Sequence, residues 1–385
     1  MRLAIAGGGT GGHLFPGLAV AELARDRGAA ESIVFFGAER GIESWAVPRA
    51  GFELVAEPVH GIVGGSRLAA ARALAEMSAA TLRARRQLAS RHVDVVIGLG
   101  GYASAPAVLA ARSLGIPVVL LEQNRKPGLS NRVLGRLATR VCTSFENTAA
   151  SFARGKTVCT GNPLRRGFDE RPPYQTDEAT ARDLLLVFGG SAGARSLNRA
   201  VVAALAHLAG SSESSPAEAG DAGAARVAAA TALPSILHQV GKPFVDEIRA
   251  AYAQAGIAAE VVAFIDDMRS VYARTRLAVC RAGATSIAEL IATGTPSVLV
   301  PLPTSAGGHQ LENAREMQSF GASRVVIDDA DCARTLAATL AELLENQTAL
   351  SSMAERAAAC GRPGAAGRVL EILVELAGKS ADRVR

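Results

Sequence analysis

At 385 residues, with 49% hydrophobic and 20% charged side chains, the chain is too apolar and too sparsely charged for a disordered polymer, and long enough for about two or three domains with cores of their own. Its five cysteines (Cys142, Cys159, Cys280, Cys332, Cys360) are scattered without a Cys-x-x-Cys pair, which argues against a disulfide or zinc framework, and no apolar run reaches the roughly 20 residues of a membrane span. The net charge of +5 suits an anionic substrate or membrane surface, four Tyr and one Trp leave few platforms for stacking nucleic-acid bases, and with no secretory pattern at the N-terminus the chain is expected in the cytoplasm.

Apolar residues 3–6 read as a first strand. Gly7-Gly8-Gly9-Thr10-Gly11-Gly12-His13 follow at once, before a helical pattern at 18–27. A strand that enters a helix through glycines aims backbone N–H groups and the positive end of a helix dipole at the turn, which favours phosphate. Gly7, Gly9 and Gly12 fit G-x-G-x-x-G. A dinucleotide site also needs an acid closing the second strand. That strand, 32–36, closes on Gly37 instead, and Glu39 comes late. No Lys-Ser/Thr follows the turn, so it is not a triphosphatase P-loop.

Residues 52–55 read as a third strand, and 60–65 as a flexible loop. The segment 66–91 is helical, with Leu74, Met77 and Leu88 on one face and Arg72, Arg83 and Arg86 on another. Two readings stay open: a solvated face over a core stripe, or a basic amphipathic surface that touches anionic lipid. Strand 93–97 ends in a second glycine loop, Gly98 to Pro106, carrying Gly101 and Tyr102. Strand 117–121 ends in a polar loop, Glu122 to Gly128, before a helix with Asn131 and Arg132. Polar groups at the C-terminal ends of apolar strands are where open α/β sheets put ligands. Short strands at 140–143 and 157–160 complete the first half, and Gly161-Asn162-Pro163 marks a boundary, with Arg165 just beyond.

The opening unit then repeats. Strand 184–188 runs into Gly189-Gly190-Ser191-Ala192-Gly193-Ala194 and a helix through Asn198 and Leu205. The echo implies two doubly wound α/β domains, each with a phosphate-type turn at its first strand–helix junction. Residues 210–230, rich in Ser, Ala, Gly and Glu, read as a surface insertion. Strands at 235–239, 260–264, 277–280 and 297–301 follow, then helices over 331–359 and a last amphipathic helix at 365–377.

Nine strings in this order resemble the UDP-N-acetylglucosamine:lipid I N-acetylglucosaminyltransferase family of bacterial peptidoglycan synthesis: GGGTGGH (7–13), GGYASAP (100–106), EQNRKPGLSNRVL (122–134), GNPLR (161–165), GGSAGA (189–194), HQVG (238–241), FIDDM (264–268), RAGATSIAEL (281–290) and HQLENA (309–314). The resemblance covers nearly the whole chain. It implies an α/β GT-B fold, two Rossmann-like doubly wound domains facing across a cleft. Residues 1–163 are expected to form the acceptor and membrane-facing domain, 164–364 the UDP-GlcNAc domain, with the terminal helix 365–385 packing back on the first. It also implies inverting transfer of GlcNAc from UDP-GlcNAc to the MurNAc 4-hydroxyl of lipid I, giving lipid II. No cofactor and no metal are implied, and no nucleic-acid partner. The expected location is peripheral, on the cytoplasmic side of the cell membrane against its anionic surface.

By the same resemblance, the backbone of Ile265 meets the uracil and Glu289 holds the ribose hydroxyls. Ala284, Thr285, Ser286 and Ser191 meet the diphosphate, and Arg165 adds a positive fork. Asn124 and Gln310 read the sugar's hydroxyls or acetamido group, and Thr10, Gly11 and Gly12 also lie near the donor. Gly9, Gly101, Tyr102, Glu122 and Asn131 fall on the acceptor side, where the first glycine turn is expected to hold the lipid's pyrophosphate. Inverting transfer needs a base for the acceptor hydroxyl. His13 is the candidate, since a histidine titrates near neutral pH, with Tyr102 and Glu122 as secondary candidates. Two features depart from the family pattern: Ala192 stands where a glutamine is usual, and 210–230 is longer than the family needs. Rival readings are another GT-B enzyme, such as a glycolipid synthase or a UDP-GlcNAc 2-epimerase, against which GGYASAP and EQNRKPG argue, and a non-catalytic sugar-nucleotide or membrane-binding protein.

Overall fold

Strands buried on both faces of a parallel sheet read as unbroken apolar runs, and this chain builds two such sheets. The computed structural model describes residues 1–39, 41–57, 67–168, 182–190, 193–210 and 233–384, the side chains of 67–71 and 380–384 excepted. The chain divides into one unit of Met1–Asp169 with Arg362–Arg385, and another of Glu170–Gly361. The loop expected at 60–65, the turn residues Ser191 and Ala192, and nearly all of the expected insertion at 210–230 lie outside the described residues.

In the first unit, β1 (Arg2–Ala6), β2 (Ser32–Ala38), β3 (Glu53–Glu57), β4 (Val95–Gly98), β5 (Val118–Glu122), β6 (Arg140–Thr143) and β7 (Thr157–Cys159) are joined by α1 (Gly11–Asp26), α2 (Glu43–Arg49), α3 (Arg67–Ser90), α4 (Ala105–Ser113) and α5 (Leu129–Leu134). The strand order is β3-β2-β1-β4-β5-β6-β7, every pairing parallel. The order reverses beside β1, so the crevice where doubly wound sheets bind ligands opens at the C-terminal ends of β1 and β4. Side-chain alternation along β1 sorts the core. Leu3 and Ile5 pack with Leu14 and Leu18 of α1, whereas Ala4 and Ala6 face a second cluster with Leu88, Val108 and Leu120.

The last helix, α13 (Ala365–Val384), belongs to this unit. Ala366, Val369, Leu373 and Leu376 recur every three or four residues and join the cluster of Leu14 and Leu18. The helix runs past the amphipathic stretch 365–377 to Val384, close to the expected 365–385. The first unit also runs on through Asp169, beyond the expected 163. An Arg166–Asp26 ion pair at 3.3 Å ties this extension to α1.

The second unit has β8 (Leu184–Phe188), β9 (Ser235–Gln239), β10 (Glu260–Val262), β11 (Thr275–Cys280), β12 (Ser297–Leu299) and β13 (Ser323–Val325), in the parallel order β10-β9-β8-β11-β12-β13. Its helices are α6 (Arg195–Gly210), α7 (Val245–Gln254), α8 (Met268–Arg274), α9 (Ala284–Thr293), α10 (His309–Ser319), α11 (Cys332–Leu344) and α12 (Gln347–Ala359). Leu185 and Val187 of β8 pack with Leu197, Val201 and Leu205 of α6 and Leu336 and Leu340 of α11. The switch point recurs between β8 and β11.

One local expectation needs correction, and two elements escaped the sequence reading. Leu74 does not share a core stripe with Leu88. The buried face of α3 is Ala80, Ala84 and Leu88, one residue per helical turn, while Leu74 is 67% exposed. Helix α2 was hidden in the sequence because Pro48 interrupts its pattern, yet a proline in the last turn leaves the helix start intact. Strand β13 has only three residues, with an exposed Arg324 at its centre, too short to show a period.

Candidate active site

The first glycine turn is built around an acid that the sequence motifs passed over. Glu43 opens α2 and is fully buried. Its Oε2 accepts the Gly9 N–H at 2.8 Å and its Oε1 the Ala38 N–H at 3.0 Å. The Gly7 N–H bonds the Phe36 carbonyl at 2.9 Å. Two turn amides are therefore spent inside the protein, and the turn is a poorer anion cradle than its glycine pattern suggests. Thr10 caps α1 in extended conformation, and its hydroxyl lies 2.9 Å from His13 Nδ1. Gly100, at φ +95°, lies against the His13 ring and the Asn131 amide: a Cβ there would sit 3.2 Å from each.

Two more loops converge on this turn from β4 and β5. The Gly101 carbonyl accepts both the Ser104 hydroxyl at 2.9 Å and the Ser130 hydroxyl at 2.8 Å. Gln123 Nε2 donates to the Leu99 carbonyl at 3.0 Å. These bonds lock the loop after β4 to the loop after β5. Tyr102 stands at the rim, 41% exposed.

Glu122, at the end of β5 and buried, is the hub of its loop. Oε1 accepts the Asn124 N–H (2.9 Å) and Asn124 Nδ2 (3.3 Å), and Oε2 accepts the Gly128 N–H (3.2 Å) and Asn131 Nδ2 (3.0 Å). Burial raises its carboxyl above the ordinary 4.5, opposed by those donors. With four donors on two oxygens it organises the loop, and a hydroxyl proton would have to displace one of them. Asn131 Nδ2 also donates to the Leu121 carbonyl at 2.8 Å. Arg165 comes to the same place, its guanidinium 5.4 Å over the ring of Phe15 in α1. The structure thus gathers Gly9, Thr10, His13, Gly101, Glu122, Asn124 and Asn131 at the ends of β1, β4 and β5.

The second unit also ties its loops with side-chain donors. Gln239 Nε2 donates to the Gly190 carbonyl at 3.0 Å, Asn198 Nδ2 to the Val240 carbonyl at 3.0 Å, and Asn313 Nδ2 to the Ala282 carbonyl at 3.2 Å. Gly193, at φ +75°, has no alternative: a Cβ there would lie 2.1 Å from the Val240 carbonyl oxygen. Behind Asn198 stands buried His238, its Nε2 3.2 Å from Asn198 Oδ1 and its Nδ1 2.9 Å from the Tyr252 hydroxyl. Burial holds this imidazole down to about 3, so it is neutral. Asn198 Oδ1 only accepts, so Nε2 carries the proton and Tyr252 donates to Nδ1.

Among the expected donor-site residues, Ile265 is buried after β10, and Ala284, Thr285 and Ser286 form the half-buried first turn of α9. Glu289, one turn on and 6% exposed, accepts the Tyr272 hydroxyl at 3.3 Å. Gln310 Oε1 accepts the Leu302 N–H at 3.0 Å. Arg281 anchors the start of this region. It pairs with Asp328 at 2.7 Å, both nearly buried, and donates to the Val300 carbonyl at 3.0 Å and to Ser196 Oγ at 2.7 Å. Ser191 lies outside the described residues. Sequence reasoning missed Glu43, Gln239 and Arg281 as site builders. Their partners are backbone atoms and side chains distant in sequence, which spacing does not reveal. Among the described residues, no group of three or more His, Cys, Asp or Glu is disposed to hold a metal ion, and no helix is long and apolar enough to cross a membrane.

The glycosyltransferase family 28 N-terminal domain matches residues 3–143, and the family 28 C-terminal domain matches residues 184–369. Two parallel α/β units, each with ligand loops at its switch point, define the class as a family 28 glycosyltransferase of GT-B fold. The chain is 41% identical, over 98% of its length and 93% of the relative's, to the UDP-N-acetylglucosamine–N-acetylmuramyl-(pentapeptide) pyrophosphoryl-undecaprenol N-acetylglucosamine transferase of Myxococcus xanthus. It belongs to that transferase family. Among solved structures, Acinetobacter baumannii MurG superposes with a TM-score of 0.75 at 29% identity, covering 97% of this chain and 99% of its own. The Neisseria meningitidis UDP-GlcNAc 2-epimerase matches at a TM-score of 0.63 and 12% identity, covering 97% and 100%, which reflects the fold alone.

Proposed function

We propose that this chain transfers GlcNAc from UDP-GlcNAc to the MurNAc 4-hydroxyl of lipid I, giving lipid II, with inversion and without a metal. The observation that carries the reading is the 41% identity sustained over 98% of the chain to a transferase named for that reaction. In this reading His13 takes the proton of the acceptor hydroxyl, and the 2.9 Å contact with Thr10 orients its ring. Gly9, Gly101, Tyr102 and Asn131 line the acceptor side, with Glu122 shaping the loop beside them. Glu289 holds the ribose, and a carboxylate acceptor suits its two hydroxyl donors. Ile265 meets the uracil. The amides of Ala284, Thr285 and Ser286 at the start of α9, with Ser191, meet the diphosphate and stabilise the leaving UDP. Asn124 and Gln310 read the sugar, and Arg165 and the Thr10–Gly12 amides complete the donor contacts.

Attachment to the cytoplasmic face of the membrane is part of the same reading. Leu74 and Leu82 on α3 are 67% and 51% exposed, beside exposed Arg72 and Arg86. Apolar side chains among cations suit an anionic lipid surface.

The test is transfer of labelled GlcNAc to a lipid I analogue, with and without chelator. Transfer that survives the chelator supports both parts of the reading. Conversion of UDP-GlcNAc without any lipid would favour an epimerase, and binding of UDP-GlcNAc with no UDP released would favour a binding protein. Vesicle binding is expected to rise with anionic lipid and fall with salt.

A further inference from the structure

We infer that Glu43 is the positioning residue of the first glycine turn, an acid turned inward to hold the Gly9 amide so that Thr10 and His13 keep their places. Acids are almost never fully buried unless their oxygens are satisfied. Here each carboxylate oxygen takes one backbone N–H, Gly9 on the turn after β1 and Ala38 at the end of β2, the strand paired with β1. The acid thus staples two neighbouring strand ends.

The glycines around it are cut to its shape. A Cβ on Gly8 or on Gly41 would lie 2.6 Å from the Glu43 carboxyl group, and one on Gly37 would lie 2.7 Å from its Cγ. Gly8 plays no part in G-x-G-x-x-G, and Gly37 stands where a dinucleotide site keeps its ribose acid. Both leave the space that Glu43 fills. The acid here stands in α2, not at the end of β2, and it faces the turn's backbone.

The consequence passes along the chain. Gly9, held at φ +83°, leads directly into Thr10, the cap of α1, whose hydroxyl meets His13 Nδ1 at 2.9 Å. A turn released at Gly9 would shift both side chains together. This inference rests on the proposed transfer reaction for its kinetic readout only.

Glu43→Gln tests it. The amide keeps the size of the side chain but sets an NH2 group against one of the two backbone N–H groups. The expected result is a kcat about 100-fold lower, the scale of a misplacement near 1 Å, with KM for UDP-GlcNAc within about 2-fold, because the donor residues lie mostly in the other unit. Glu43→Asp, charged but one methylene short, is expected to fail in the same way, since reach holds the turn. The His13 ring nitrogen resonances of the folded variants give a readout independent of activity and are expected to move in both. A kcat near the wild-type value, or unmoved His13 resonances, overturns the inference, as does a kcat that falls only in step with UDP-GlcNAc binding and folded fraction. If the wild-type chain transfers no GlcNAc, the transferase reading fails, while the His13 resonances still decide the role of Glu43.

Discussion

The two units repeat one architecture and differ in one part of the chemistry that secures their ligand loops. In the first, beside donors on loop carbonyls such as Gln123 on Leu99 and Ser130 on Gly101, buried carboxylates take up loop N–H groups: Glu43 holds Gly9, and Glu122 holds Asn124 and Gly128. In the second, side-chain donors take up loop carbonyls, Gln239 on Gly190, Asn198 on Val240, Asn313 on Ala282 and Arg281 on Val300, and the loop amide of Leu302 goes to the neutral side chain of Gln310. Binding carbonyls leaves a loop's amides for an anion, whereas binding amides consumes them. The difference supports a donor diphosphate on the second unit. In the first unit's glycine turn the Gly7 and Gly9 amides are taken up within the protein.

Four experiments sharpen or break this contrast. The largest effect is expected for His13→Ala, which should lower kcat by about 1000-fold, within the range of general base catalysis, while KM for UDP-GlcNAc changes by less than about 3-fold. A variant with near-normal turnover would remove His13 from the base role. Next, Arg281→Met should cost about 3–5 kcal/mol in chemical denaturation, because it strands the nearly buried Asp328. The exposed Arg166–Asp26 pair of the first unit, broken by Arg166→Met, should cost less than about 1 kcal/mol. Third, Glu289→Gln should weaken UDP binding by calorimetry about 10- to 100-fold, the value of hydrogen bonds to a charged acceptor, and leave KM for the lipid acceptor unchanged. An equal loss on both substrates would break the assignment of donor and acceptor to separate units.

The fourth experiment reads a pH dependence. His238 is held at about 3, below the ordinary 6.5, so on acidification the unfolded chain takes up its proton first. The stability tied to the neutral ring is complete above pH 6.5 and is lost as pH falls toward 3, by up to about 1.4 kcal/mol per pH unit. Glu122 runs the other way. Its carboxyl lies above the ordinary 4.5, so its contribution is present at low pH and is lost as pH rises through the raised value. His238→Gln should therefore flatten the acid limb of the Tm–pH curve, and Glu122→Gln the opposite limb.

Much of this organisation was legible from residue order. The strand–glycine–helix unit at 7–13 and its echo at 189–194 announced two doubly wound units, because a parallel strand must be apolar along its length and must turn through residues free of Cβ clashes. The loops that carry His13, Asn131 and Glu289 were also evident, since they follow the C-terminal ends of such strands. The terminal helix showed its amphipathic repeat at Val369 and Leu373 but not its partner, Leu14 and Leu18 of α1.

What the order of residues determined was the alternation of buried strands and helices, and which loops would carry polar groups, for these depend on local periodicity. Tertiary structure alone decided what holds those loops. Glu43 falls in no motif, and its place is set only when β1 and β2 pair and close the space among Gly8, Gly37 and Gly41 around it. Arg281 reads as a loop cation until β12 and Asp328 enclose it. A buried polar group takes its role from the partner that satisfies it, and that partner is chosen by the packing of segments distant in sequence.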